Sequence, residues 1–191
     1  MAGQQQAQAG GIRTPSDYGI DGLSISRLRQ LQQRYPLEAL YPATSLQQGF
    51  IYHHLTQPQD DAYRVQLLLD YHTQLDLAAY QRAWALASLR FPILRTAFNW
   101  EGEMLQIVTK GASIHSVNFE IKDISQLPKE RNSAIDAIQQ HDRTLPFDLR
   151  QPGLIRFTLI KQSEQRVTVL ITQHHSITDG WSNPILLQNC A

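Results

Sequence analysis

The residues best placed to do chemistry are two adjacent histidines, an aspartate and a glycine within His174-His175-Ser176-Ile177-Thr178-Asp179-Gly180. Imidazole has the unperturbed pKa nearest neutrality, so it can accept a proton from an attacking nucleophile. Asp179 follows His175 by four residues, where a carboxylate could orient the ring as in a Ser-His-Asp triad. Gly180 lacks a Cβ and so permits close substrate approach, and its amide could donate to a tetrahedral oxyanion. The plainer alternative for His175 is a half-buried ring satisfied by a backbone carbonyl.

Other chemistries lack their residues. Structural zinc needs three or four convergent ligands, whereas His53-His54 and His174-His175 are adjacent pairs that diverge along a strand or around a helix. There is one cysteine, no HExxH, no GxSxG and no glycine loop suited to phosphate, so no metal site is expected.

The flanking elements must hold these groups. Val167–Gln173 is β-branched and apolar enough for a strand buried on both faces. Pro184 and Ile185-Leu186-Leu187 open a helix, so the histidines occupy a strand-to-helix turn. His174 still belongs to the strand and is expected to face away from His175.

Upstream, Leu23, Leu28 and Leu31, with Ser24 or Ser26 as cap, predict a short helix ending before Pro36. Pro42-Ala-Thr-Ser45 caps a helix over Leu46–Leu55. Ala62–Tyr71 alternates, with Tyr63, Val65, Leu67, Leu69 and Tyr71 on one face, as a half-buried strand does. Asp76 caps a helix to about Leu89 with Leu77, Tyr80, Trp84 and Ala87 along one stripe, and Pro92 lies beyond it. Ile93–Trp100 and Met104–Thr109 flank Glu101-Gly102-Glu103 as a hairpin. Ser116–Lys122 is a strand, Leu127–His141 a helix with Ala134, Ile135 and Ile138 inward, and Leu154–Ile160 a strand. Helices interspersed among strands define an α/β class, a two-layer sandwich with a mixed β-sheet and crossover helices.

Composition bounds the partners. The chain has 191 residues, 42% hydrophobic and 18% charged, with 17 basic and 17 acidic residues. That balance gives no electrostatic footprint for nucleic acid or an anionic membrane surface. No apolar run reaches the roughly 20 residues of a membrane span. The single Cys190 fits a reducing cytoplasm. Residues 1–22 open with low-complexity Gln, Ala and Gly and are expected to be a flexible linker.

Three ordered stretches carry a resemblance. HHSITDG matches the HHxxxDG signature of condensation domains of non-ribosomal peptide synthetases, relatives of chloramphenicol acetyltransferase. Tyr41-Pro-Ala-Thr-Ser-Leu-Gln-Gln-Gly49 resembles the family's opening motif and Arg90-Phe-Pro-Ile-Leu-Arg-Thr-Ala-Phe98 its second. With Pro146-Phe-Asp-Leu149, the likeness runs from about residue 35 to 191. Phe91 stands where a histidine is common, and Ala43-Thr44 replaces Leu-Ser.

The resemblance implies a chloramphenicol-acetyltransferase-like half, with residues 23–191 as an N-terminal subdomain and the C-terminal subdomain absent. It implies amide-bond formation between donor and acceptor thioesters on carrier proteins, within secondary-metabolite biosynthesis. His175 takes the catalytic position, with Gly180 lining the site. His174 is structural, and Asp179 pairs with Arg95 of the second motif to hold the loop. No cofactor is bound directly; substrates ride on phosphopantetheine. The implied partners are carrier domains, the C-terminal subdomain and neighbouring synthetase domains. The isolated chain is expected to be inactive. Two alternatives remain at this point, a carrier-docking fragment without catalysis and an acyltransferase using free CoA thioesters.

Overall fold

The computed structural model describes residues 14–127, 129–178 and 187–188. Three of the four described α-helices begin where the sequence supplies a side-chain oxygen for their orphan amides. Ser24 accepts from the Arg27 amide at the start of α1 (Ile25–Arg34). Thr44 and Gln47 form a reciprocal capping box at α2 (Ser45–Thr56). Asp76 caps α3 (Leu77–Arg90), and α4 spans Arg131–Thr144.

The strands form two sheets. β1 (Leu37–Pro42), β4 (Leu105–Thr109) and β3 (Thr96–Asn99) make an antiparallel three-stranded sheet in the order β1-β4-β3. β2 (Arg64–Tyr71), β7 (Arg166–His174), β6 (Ile155–Ser163) and β5 (Phe119–Asp123) make a mixed four-stranded sheet in the order β2-β7-β6-β5. Among the described residues its one parallel pair is β5 with β6. β7 is therefore an inner strand, antiparallel to both neighbours, with Arg64 opposite His174 and Ile155 opposite Gln173.

Strand alternation sends the inner strands' side chains into two different cores. Phe157, Leu159, Val169 and Ile171 pack with Tyr80, Trp84 and Ala87 of α3. Ile160 and Leu170 on the reverse face pack with Ala134, Ile135 and Ile138 of α4. β7 is thus covered on both faces, which is why its middle, Val169-Leu170-Ile171, is apolar on both. Leu28 and Leu31 of α1 close the smaller sheet against Leu40, Ala97, Leu105 and Ile107.

Several details differ from the sequence reading. β1 was not expected; its six residues become a strand by pairing with β4. Pro92–Arg95 and Ser116–Asn118 are 3-10 turns preceding the strands rather than strand residues. Proline at the first position of the former sets φ for a turn and supplies no strand amide. Within the expected linker, Pro15–Tyr18 form another 3-10 turn and Ile20 is buried in the α1 core. In the expected C-terminal helix, Leu187 and Gln188 are helical, while Pro184 and its neighbours fall outside the described residues.

One glycine holds the floor of the histidine turn. Gly153 has φ +78°, and a Cβ there would stand 2.6 Å from the Ser113 carbonyl oxygen. The next residue, Leu154, offers its carbonyl to the His174 amide at 3.0 Å. Gly153→Ala combines left-handed backbone strain with a backbone clash and is expected to cost about 3 kcal/mol. Urea unfolding measures this, and an unchanged midpoint would contradict the close approach.

Candidate active site

The end of β7 is tied down through its main chain. The His174 N–H donates to Leu154 and the His175 N–H to the Tyr63 carbonyl at 2.8 Å. The Ile177 N–H then returns to the His174 carbonyl at 3.2 Å and closes the turn. β7 ends at His174, where the two histidine rings lead into the turn. Both approach the ring of Phe50 on α2, at 6.1 Å for His174 and 5.5 Å for His175.

The two rings carry opposite tautomers. His175 Nδ1 lies 2.7 Å from the Thr178 carbonyl oxygen, which can only accept. Nδ1 must therefore bear the proton, and in the neutral ring Nε2 keeps its lone pair. Among the described residues no hydrogen-bond partner takes that Nε2, and the residue is half-buried. The backbone-carbonyl contact that the plainer reading supposed is present, and it prepares the other nitrogen as an acceptor.

His174 is the reverse case. Its Nδ1 accepts from the Ser176 N–H at 3.2 Å and lies 2.8 Å from the Ser176 hydroxyl, which places the neutral ring's proton on Nε2. Burial, reinforced by the positive fields of His54, Arg64, His175 and His53, pushes its pKa down to about 3. It stays uncharged while the protein is folded, as a structural ring should.

That depression has a stability consequence. An unfolded histidine titrates near 6.5, so below that pH the unfolded chain takes up a proton that native His174 refuses. The contribution of His174 to stability is full above about pH 6.5 and is lost as pH falls, at up to about 1.4 kcal/mol per unit. His174→Asn, whose amide oxygen can replace Nδ1 as acceptor, is expected to flatten this slope between pH 7.5 and 5.5 in urea titrations. An identical slope in the variant would contradict the assignment.

A polar network on the reverse face of the sheet supports the turn. The Asp142 carboxylate, near the end of α4, accepts from Arg156 Nε at 2.7 Å, from Gln66 at 3.0 Å and from the Thr172 hydroxyl. It thereby joins β6, β2 and β7 just below the histidines. Arg156 also lies 4.4 Å above the ring of Phe147, whose edge meets His174 at 6.3 Å. Burial by itself would raise the Asp142 pKa, but the Arg156, Thr172 and Gln66 donors outweigh it and hold the carboxyl below its usual range.

Arg95 is buried and makes a two-pronged ion pair, but with Glu38 of β1. Its remaining contacts are the carbonyls of Ser88 and Thr109, so one guanidinium joins α3, β1 and β4. Asp179, the partner expected for it, and Gly180 lie outside the described residues. The structure thus brings His174 and His175 together, and the expected Arg95–Asp179 contact is not among the described features. Sequence reasoning missed Phe50, Tyr63 and Asp142 as supports. Asp142 had left a signal, since it continues the inward stripe of Ala134, Ile135 and Ile138 by one helical turn. Among the described residues no group of three or more His, Cys, Asp or Glu could hold a metal ion, and no helix is long and apolar enough to cross a membrane.

Comparison with known proteins bears on the class. A family model described as "Condensation domain" matches residues 37–191. The chain is 38% identical over 159 residues to N-(5-amino-5-carboxypentanoyl)-L-cysteinyl-D-valine synthase of Penicillium rubens, covering 83% of this chain and 4% of that protein. It is 30% identical over 181 residues to bacitracin synthase 3 of Bacillus licheniformis, covering 92% of this chain and 3% of that protein. The starter condensation domain of rhizomide synthetase superposes with a TM-score of 0.71 at 17% identity, over 81% of this chain and 38% of that one.

The chain belongs to the condensation-domain family, and its mixed α/β fold is that of the family's solved members. It spans only a few per cent of the length of the synthetases it matches.

Proposed function

We propose that this chain supplies the histidine-bearing wall of a site that joins two carrier-bound thioesters through an amide bond. The acceptor's amine nitrogen attacks the donor's thioester carbonyl carbon. As the C–N bond forms and the C–S bond breaks, the amine proton passes to His175 Nε2 and from there to the departing thiolate. The observation that carries this reading is the Nδ1–H bond to the Thr178 carbonyl, which leaves Nε2 as the open acceptor at the end of a rigid strand. His174, Arg95 and Asp179 act as supports, and Gly180 lines the site.

No cofactor is bound directly on this reading; both substrates arrive on the phosphopantetheine arms of carrier domains. Residues 23–191 serve as the N-terminal subdomain, with residues 1–22 as the connecting segment. The C-terminal condensation subdomain and neighbouring synthetase domains complete the working assembly, which operates in the cytoplasm. The isolated chain is catalytically silent, and acyltransferase activity belongs to the full-length protein. Holding two tethered thioesters in register supplies much of the acceleration, because it makes their encounter effectively unimolecular.

The test uses the full-length synthetase with donor and acceptor loaded on their carriers, read by mass analysis of the acceptor carrier. The expected product is the condensed thioester on that carrier. Equal transfer from a free CoA thioester to a soluble amine would overturn the carrier-based reading.

A further inference from the structure

The hydrogen bond from Nδ1 secures one edge of the His175 ring, and something else must define where its face lies. The ring of Phe50 meets His175 at 5.5 Å and a 39° tilt, and meets His174 edge-on at 6.1 Å. Phe50 is itself buried and braced edge-to-face by Tyr63 at 4.7 Å. Tyr63 is also the residue whose carbonyl receives the His175 N–H.

The bracing begins in the sequence. The Thr44–Gln47 capping box sets where α2 starts. Gln47, Phe50 and Ile51 then fall on its buried face, three and four residues apart. A shift of the helix start would turn Phe50 away from both histidines.

We infer that Phe50 is a positioning residue for His175: its ring walls one face of the imidazole and, with the Thr178 carbonyl on the edge, sets the direction in which Nε2 points. The inference rests on the proposed role of His175 and adds to it the group that aims the ring. Displacing a reacting nitrogen by about 1 Å can cost as much as 100-fold in rate. Removing the wall should therefore lower turnover and leave substrate recognition alone.

The experiment has two arms. In the full-length synthetase with loaded carriers, Phe50→Leu is expected to lower kcat by about 10- to 100-fold with KM within about twofold. Ile51→Val, an equally buried change on the same helix, should leave both unchanged. In the chain itself, nitrogen-15 spectra of the His175 ring should show the single Nδ1–H form in the wild type and in Ile51→Val. Phe50→Leu should show a mixture of tautomers or exchange broadening. Phe50→Met serves if the leucine variant does not fold.

Wild-type kcat together with an unchanged His175 spectrum in Phe50→Leu or Phe50→Met would overturn the inference. So would a loss matched by Ile51→Val, which would mark Phe50 as packing alone. The spectral arm needs no turnover, so a failure of the carrier-based chemistry would show in the activity arm and leave the positioning result readable.

Discussion

In the full-length synthetase, His175→Ala is expected to lower amide formation between carrier-bound substrates by about 10²–10⁴-fold, the range for loss of a general base. The expectation follows from the tautomer. With Nδ1 committed to the Thr178 carbonyl at 2.7 Å, Nε2 is the ring atom open to an incoming amine. Alanine leaves the turn's main-chain bonds to Tyr63 and Leu154 in place, so the variant should fold and still bind its carriers. Residual turnover would reflect the orientation of the two thioesters. His174→Ala should act differently, through stability, because that ring is buried and neutral. Wild-type turnover in His175→Ala would remove the imidazole from the mechanism.

The second large effect lies behind the site. Asp142→Ala would take the carboxylate from the partly buried Arg156 guanidinium, the Thr172 hydroxyl and Gln66 together, leaving Arg156 only main-chain carbonyls to oppose its charge. Removing one partner of a buried ion pair costs about 3–5 kcal/mol. For a domain of this size that corresponds to a fall of about 10 °C in Tm. The pH dependence has a definite sign. Because the folded pKa of Asp142 is depressed, its contribution is present above the unfolded carboxylate value near 3.9 and is lost as pH falls through the lower folded value. Asp142→Asn should therefore be less stable than wild type at pH 7, with the gap narrowing towards pH 3. A constant gap would mean that the charge is not what the network holds.

The parts of this protein that were legible in its sequence are those where one physical demand acts on a whole stretch. β7 could be recognised because burial on two faces excludes polar residues along its middle, and α3 because its cap and its stripe of Tyr80, Trp84 and Ala87 agree. β1 was hidden because six residues containing Glu38 and Pro42 have no strand pattern of their own and depend on β4 for pairing. The partnership of Arg95 with Glu38 was hidden for a related reason, since it joins residues brought close by that pairing. The site shows the same division. Residue types and spacing marked His174 and His175. What distinguishes their roles is a main-chain carbonyl at Thr178 and a main-chain amide at Ser176, and backbone groups are present at every position. No residue type announces them.

The central claim is that His175 offers Nε2 as an acceptor while His174 does not. Two-bond hydrogen–nitrogen correlation spectra of histidine-labelled protein at neutral pH test this most directly. The account predicts a protonated Nδ1 and a bare Nε2 for His175, with the opposite assignment for His174. A His175 ring protonated at Nε2, with Nδ1 bare, would contradict it.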